Sequence, residues 1–275
     1  MRGPRHPLGT SARRKGGRIP SAGPRSFRSA RAFLVRSVDT GDTDRRISFF
    51  TESDGLVSMV AKAARRSRKR FGGSLQKYFL LEVAWTAAPG RLAVLDSVSL
   101  VASFWEIVAD WEKVRHADYL LELAAALFPQ PGPKPKAFGV LLSGMRSLAL
   151  GDPPPALARK AEAAMLSVGG WGPNFSACRR CGDPIGAFPA KLHGRSVRFV
   201  LSEGGILCGN CSGGGVHLSL GAVKTWKALQ ASSPKVLARV RITDTIFEEL
   251  QLVIPRYLEY CLGKSLRSLG GLPSS

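Results

Sequence analysis

Cys178-Arg179-Arg180-Cys181 and Cys208-Gly209-Asn210-Cys211 are two matched C-x-x-C pairs, and they hold four of the chain's five cysteines. Each pair is a tight turn that can aim two thiolates at one tetrahedral ion. Two such knuckles complete a closed four-sulfur shell of the kind zinc occupies in structural sites. The gap of residues 182–207 is longer than the commonest zinc-ribbon spacing, but metal geometry restricts the knuckles rather than the hairpin between them. A closed shell leaves no position for water or substrate, so Cys178, Cys181, Cys208 and Cys211 are expected to hold structural Zn2+ and to fold the protein rather than perform chemistry. Two disulfides or free thiols are the competing readings. Disulfides are disfavoured because residues 1–30 contain no apolar segment of secretory type, which also points to reduced cysteines and a cytoplasmic location.

Outward from the cysteines, the surroundings are helical. Phe104 to Leu123 repeats apolar residues at three- and four-residue steps, with Ser103 as N-cap and Pro129 as stop. Ala137 to Leu150 reads as a second helix closed by Gly151, and Pro153-Pro154-Pro155 introduces a third over 156–168. Beyond the second knuckle, 222–229 and 245–269 read as helices, the latter expected to kink or divide at Pro255. The metal segment, about 174–216, therefore reads as an arm of a helical domain spanning 103–275.

Upstream, short β-rich runs alternate with turn signals. Phe33 to Val38, Arg45 to Phe50, Leu56 to Ala61, Leu75 to Trp85 and Leu92 to Val101 read as five strands. No helix long enough for a parallel crossover lies between them, so a small closed barrel such as an OB-fold is expected over 29–102. Residues 1–28 mix Gly, Pro, Ser and Arg without periodicity and read as a disordered basic extension. The fold class is thus α+β and multidomain: an N-terminal OB-fold β-barrel and a helical C-terminal domain with a four-cysteine zinc arm.

Charge supplies the functional signal. The 275-residue chain carries a formal net charge of +20 with 44% hydrophobic residues. Nine Arg or Lys and no acid fall in residues 1–31, so +11 remains on the rest. Such a balance points to nucleic acid first and to an anionic membrane surface second. No apolar run reaches the ~18 residues of a membrane span. The densest run is Lys62, Arg65, Arg66, Arg68, Lys69 and Arg70, followed by Phe71-Gly72-Gly73, with no acid between Asp54 and Glu82. On a loop beside a barrel face, this run can track a phosphate backbone. Arg36, Arg45 and Arg46 on neighbouring strands extend the patch if they face outward. Phe49, Phe50, Phe71 and Tyr78 are candidates for base stacking, Phe71 foremost, although aromatics at strand spacing are more often core.

Weaker candidates are set aside. His116 lies in a helical pattern and reads as a packing or surface residue. His193 and His217 flank a shell already complete with four sulfurs, and Cys261 reads as a small apolar residue. Asp39, Asp42 and Asp44 share one turn, which turn chemistry explains better than a metal nuclease. P-loop, H-E-x-x-H, G-x-S-x-G and zinc-deaminase motifs are absent from the sequence.

The order of features resembles the bacterial DNA repair protein RecO family of recombination mediators, in its zinc-bearing form, over about residues 28–270. Ala32-Phe33-Leu34-Val35-Arg36 followed by Gly41-Asp42-Thr43-Asp44-Arg45 resembles the family's opening strand and turn, and 60–75 resembles its basic loop. Asp118-Tyr119-Leu120-Leu121-Glu122-Leu123 is similar to the start of its helical domain, and Trp171-Gly172-Pro173 with Cys178 and Cys181 to its entry into the zinc arm. The resemblance implies a non-enzymatic mediator that binds single- and double-stranded DNA and anneals complementary strands. It also implies action with RecR to load RecA onto strands covered by single-strand-binding protein (SSB), with a cytoplasmic, nucleoid-associated site of action and no membrane partner. The family's usual start lies about 28 residues downstream, which implies a misplaced start codon. Residues 168–171 are richer in glycine than the family pattern. The alternative reading is a zinc-ribbon RNA-binding or ribosome-associated protein.

Overall fold

The computed structural model of the chain describes residues 25–64, 71, 75–152, 154–185, 196–211, 213–231, 237 and 239–268. Five strands, β1 (Ser26–Thr40), β2 (Asp44–Thr51), β3 (Gly55–Ala61), β4 (Leu80–Ala87) and β5 (Ala93–Ala102), close into a barrel in the order β1-β2-β3-β5-β4. All pairings are antiparallel except the short parallel contact of β3 with β5 at Met59↔Ala93 and Val60↔Val94. Period-two alternation drives this closure. Ile47 and Phe49 of β2, Met59 and Ala61 of β3, Val83 and Trp85 of β4 and Leu95 of β5 all point into one buried interior.

The long first strand closes the barrel by serving two neighbours. Its later part pairs with β2 and its earlier part with β4, the two ladders meeting at Ala32. β1 therefore begins seven residues before the apolar run that marks it in sequence, and it takes in Ser26 to Arg28. Those side chains are exposed, so no hydrophobic alternation announces them; the backbone ladder to Trp85, Thr86 and Ala87 orders them instead, joined by an ion pair from Arg28 to Asp54. At the other margin β4 starts at Leu80 rather than Leu75. Tyr78 adopts a left-handed φ of 67°, which is incompatible with a continuing strand.

The helical domain follows as α1 (Trp105–Val108), α2 (Trp111–Leu127), α3 (Pro135–Leu150) and α4 (Pro154–Val168), then α5 (Leu220–Leu229) and α6 (Asp244–Leu262). The single helix expected from Phe104 is split, because Asp110 is extended and its carboxylate accepts the N–H groups of Glu112 at 2.9 Å and Lys113 at 3.2 Å. Asp110, not Ser103, is the N-cap, and it ends α1 after one turn. α6 runs through Pro255 as one helix and stops at Leu262, where Gly263 takes the left-handed C-cap at φ 65°. The expected extension to 269 does not form.

Between α4 and α5, β6 (Ser196–Val200), β7 (Gly205–Leu207) and β8 (Val216–Ser219) form a small sheet in the order β7-β6-β8. Phe175, Phe199, Trp226 and Tyr257 join it to α5 and α6 through ring contacts of 5.1 to 6.0 Å. The cysteine segment is consequently part of the helical domain's own core, in which Cys178 and Cys208 are buried.

The same core reaches back to the barrel. Phe33 packs on Phe104 and Phe138 at 6.4 and 5.7 Å, and Phe50 packs on Phe128 at 6.3 Å. Each fully buried Phe contributes on the order of 1.5–3 kcal/mol by leaving water, so this seam holds the barrel firmly against the helices. The β2–β3 turn adds a backbone stitch: Gly132 N–H donates to Asp54 C=O at 2.8 Å. A side chain at Gly55, whose φ is 65°, would meet the Gly132 carbonyl oxygen at 2.7 Å. Only glycine permits both that conformation and that approach.

Candidate metal centre and nucleic-acid face

The two knuckles meet at the end of β7, which runs directly into the second of them. In the first, Cys178 N–H donates to Asp183 C=O at 2.8 Å and Gly182 N–H to Cys178 C=O at 3.1 Å, which curls the backbone around the sulfurs. Arg179 N–H reaches Ile206 C=O at 2.9 Å and ties this turn to the strand leading into the second knuckle. The four Sγ atoms of Cys178, Cys181, Cys208 and Cys211 all lie within 4.8 Å of one another. A tetrahedral zinc with 2.3 Å bonds needs sulfurs about 3.8 Å apart, so small side-chain adjustments suffice to close the shell.

The donor chemistry fits a cation. Burial opposes ionisation of Cys178, but backbone N–H groups of Cys181, Cys208 and Arg180 outweigh it and bring that thiol down to about 6. Cys181 accepts from the backbone at Asp183, yet partial desolvation and the neighbouring thiols push it up to about 12. Four sulfurs held this close cannot all be thiolates unless a cation compensates them, and a divalent metal does so directly. Arg198 supports the second knuckle from β6: its guanidinium donates to Cys211 C=O at 2.6 Å and Gly213 C=O at 2.9 Å. Sequence reasoning missed this residue, although its strand position between the knuckles was a usable signal. His217 lies outside the sulfur cluster, 3.5 Å from Ser196 Oγ, and His193 lies outside the described residues.

On the barrel, the outer face of β1, β2 and β3 is divided. Its end nearest the helices is covered at Phe33 and Phe50, so Phe50 is unavailable to a base. Its far end is open, and Arg36, Val38, Thr40, Arg46, Ser48 and Ser58 line a cavity of about 470 Å3 there. Register explains the grouping: Arg36 opposes Ser48, Val38 opposes Arg46, and Ser48 opposes Ser58. A bulge between Leu34 and Arg36 shifts the later part of β1 by one residue, placing Val35 at the break.

The remaining sequence candidates separate clearly. Arg45 is ion-paired with Asp39 at 2.8 Å, and Lys62 is exposed on the turn after β3. Arg65, Arg66, Arg68, Lys69 and Arg70 lie outside the described residues. Phe71 is corrected: only 4% exposed within the barrel core, it cannot stack on a base from this position. Phe49 and Tyr78 are likewise buried, and Tyr78 donates its hydroxyl to Asp118 at 3.0 Å. Asp44 accepts from Thr43 Oγ1 and Ala63 N–H at 3.1 and 2.8 Å and Asp39 pairs with Arg45, so these two aspartates are engaged within the protein.

His116 is 2% exposed in α2, its Nδ1 2.9 Å from Glu112 C=O, and burial lowers its pKa. It belongs to the packing around a buried pair, Arg159 and Glu162, joined at 2.6 Å, with the Tyr119 hydroxyl donating to the same carboxylate.

These features define a class: a two-domain protein with an OB-fold barrel open on one basic face and a helical domain stapled by a four-cysteine centre. Comparison with known families makes the class specific. The models "Recombination protein O N terminal" and "Recombination protein O C terminal" match residues 27–104 and 108–270, and the chain belongs to this RecO family of DNA repair and recombination proteins. It is 34% identical to the DNA repair protein RecO of Anaeromyxobacter dehalogenans (strain 2CP-C), over 85% of this chain and 91% of that protein. Identity is 30% to its counterpart in Symbiobacterium thermophilum, over 82% and 88% of the two chains. With that of Dehalococcoides mccartyi (strain CBDB1) it is 27%, over 91% and 96%. Among the described residues, no helix is long and apolar enough to cross a membrane.

Proposed function

We propose that this protein is a non-enzymatic recombination mediator that binds single- and double-stranded DNA and anneals complementary strands. In this reading it acts with RecR to load RecA onto SSB-coated strands at the cytoplasmic nucleoid. The observation that carries it is the open end of the barrel face, where the guanidinium groups of Arg36 and Arg46 have no ion-pair or hydrogen-bond partner among the described residues. Unengaged guanidiniums on a concave OB-fold face are suited to phosphate oxygens. Lys62 and the basic run through Arg65, Arg66, Arg68, Lys69 and Arg70 lie next in sequence to this face and would extend it.

Neutralising phosphates on two strands lowers their mutual repulsion, and base pairing then supplies sequence choice. Each single-strand phosphate contact contributes about −0.7 to the slope of log K against log salt. The four-sulfur centre, filled by Zn2+, holds the helical domain in shape.

The test is annealing of SSB-coated complementary strands by wild type and by Arg36→Ala/Arg46→Ala. The double variant is expected to anneal more slowly and to bind single strands with a salt slope shallower by about 1.4. Unchanged annealing and slope in a folded variant would refute the barrel-face assignment. Running the same titration with RNA of identical sequence separates DNA mediation from the zinc-ribbon RNA-binding alternative.

A further inference from the structure

Arg36 lines a second, larger hollow. It has a volume of about 740 Å3 and lies between β1, one stripe of α2 and the segment that follows α6. Its floor is the α2 stripe Asp118, Leu121, Glu122, Ala125 and Ala126, residues at helical spacing whose two alanines keep the wall low. Its far wall is 264–268, which turns back after the Gly263 C-cap.

That wall is docked by one side chain. The Glu122 carboxylate accepts the N–H groups of Arg267 at 3.0 Å and Ser268 at 2.9 Å, together with the Ser268 hydroxyl at 2.5 Å. These bonds, with the nearby charge of Arg267, hold its pKa below the usual value although burial opposes this. The second acid of the hollow, Asp118, is also engaged: it takes Lys77 Nζ at 2.8 Å and the Tyr78 hydroxyl at 3.0 Å. Both carboxylates thus act inside the protein and offer little to a ligand. Arg36 and Lys264 are exposed, with no carboxylate in ion-pair range among the described residues, and Arg267 is exposed beside them.

We infer that this crevice continues the nucleic-acid path. A single strand leaving the barrel face at Arg36 passes between the barrel and α2, with Lys264 and Arg267 of the docked C-terminal segment contacting its phosphates. The inference rests on the proposed function and adds a second stretch to it, carried by the helical domain. Continuity favours nucleic acid over an acidic peptide, because Arg36 belongs to both hollows and a polymer of phosphates can occupy them together. The segment suits the role physically: Leu266 is 3% exposed and anchors it in the core while the flanking cations face outward.

The experiment compares wild type, Lys264→Ala/Arg267→Ala and Arg36→Ala/Arg46→Ala. Each is titrated with oligothymidylates of increasing length at several salt concentrations, with a thermal melt to confirm folding. Both tail side chains are exposed and the Glu122 clasp uses Arg267 through its backbone, so the tail variant should melt like wild type. The expected result is that the tail variant binds strands of about 6 nucleotides normally, since such a strand occupies only part of an OB-fold site. On longer strands its salt slope falls by about 1.4, two contacts' worth. A tail variant equal to wild type at every length, while the barrel variant is impaired, overturns the crevice path and leaves the barrel reading standing. Impairment of neither variant removes the barrel reading, and this inference with it. Loss of binding to poly-glutamate with unchanged DNA binding would also overturn the inference, by making the crevice a site for acidic peptides.

Discussion

Arginines crowd both the cysteine centre and the barrel face, yet they behave oppositely. At the centre, Arg179 Nε donates to Glu203 C=O at 3.0 Å, Arg180 Nε lies 3.2 Å from a Glu203 carboxylate oxygen, and Arg198 holds carbonyls of the second knuckle. On the barrel, Arg36 and Arg46 point at solvent without a partner among the described residues. The difference shows that basic charge is not by itself an interface. What separates an arginine that builds the protein from one that can meet a partner is whether its donors are already engaged.

With zinc in the centre, as proposed, removing that ion is the largest perturbation of this contrast. Stripping with a chelator, or Cys208→Ser, should unfold the β6–β8 sheet and loosen α5 and α6. Apparent binding energies of structural zinc sites are about 10–16 kcal/mol, and the centre shares its core with Phe199 and Trp226. Amide exchange should rise there while barrel amides and short-strand binding persist. Exchange rising first in the barrel would show that the two regions are not separable in this way.

Next comes the most deeply engaged arginine. Arg159 and Glu162 are 5% and 0% exposed, and burial raises the Glu162 pKa against the pull of Arg159 and the Tyr119 hydroxyl. Glu162→Ala leaves a buried guanidinium unpaired and should cost about 3–5 kcal/mol in a denaturant melt. Glu162→Gln keeps an acceptor in place and should cost less. Equal losses would mean that packing, rather than charge, sets the penalty.

Arg198→Ala should be smaller, about 1–3 kcal/mol, because it frees knuckle carbonyls that can be partly resolvated. Its measurable signature is faster zinc release in a chelator competition, with DNA binding unaltered. A changed DNA affinity with normal zinc retention would move Arg198 from the structural group to the interface.

How far the sequence discloses these distinctions depends on the kind of force involved. The paired cysteines and the alternation of Ile47 and Phe49 are local patterns, and they announce the centre and the barrel directly. The split at Asp110 is also local, but helical periodicity runs across it and hides the cap. Phe33 and Phe50 show why the rest is illegible: both alternate out of the barrel, and only docking of α3 and the linker determines that this outward end is buried while Arg36 and Arg46 stay open. Ser26 to Arg28 are ordered by a backbone ladder and by an ion pair from Arg28 to distant Asp54, neither of which leaves a local pattern in the sequence. Phe71 looked available because it follows a basic run, and its burial in the barrel core is a tertiary fact.

The smallest expected effect discriminates most finely. Arg45 and Arg46 are adjacent in β2, equally basic and equally prominent in the sequence. Arg45 bonds Asp39 across the ladder, whereas Arg46 lines the open cavity without a partner among the described residues. An exposed pair of this kind is worth only about 0–1 kcal/mol, so neither substitution should move the melting point appreciably. Binding should separate them. Arg46→Ala should reduce the single-strand salt slope by about 0.7, while Arg45→Ala removes a charge already balanced by Asp39 and should reduce it by less. The double variant Asp39→Asn/Arg45→Ala removes both charges and should match wild type closely. If Arg45→Ala weakened binding as much as Arg46→Ala, phosphate would have displaced Asp39 in the complex, and engagement in the free protein would be no barrier to recruitment.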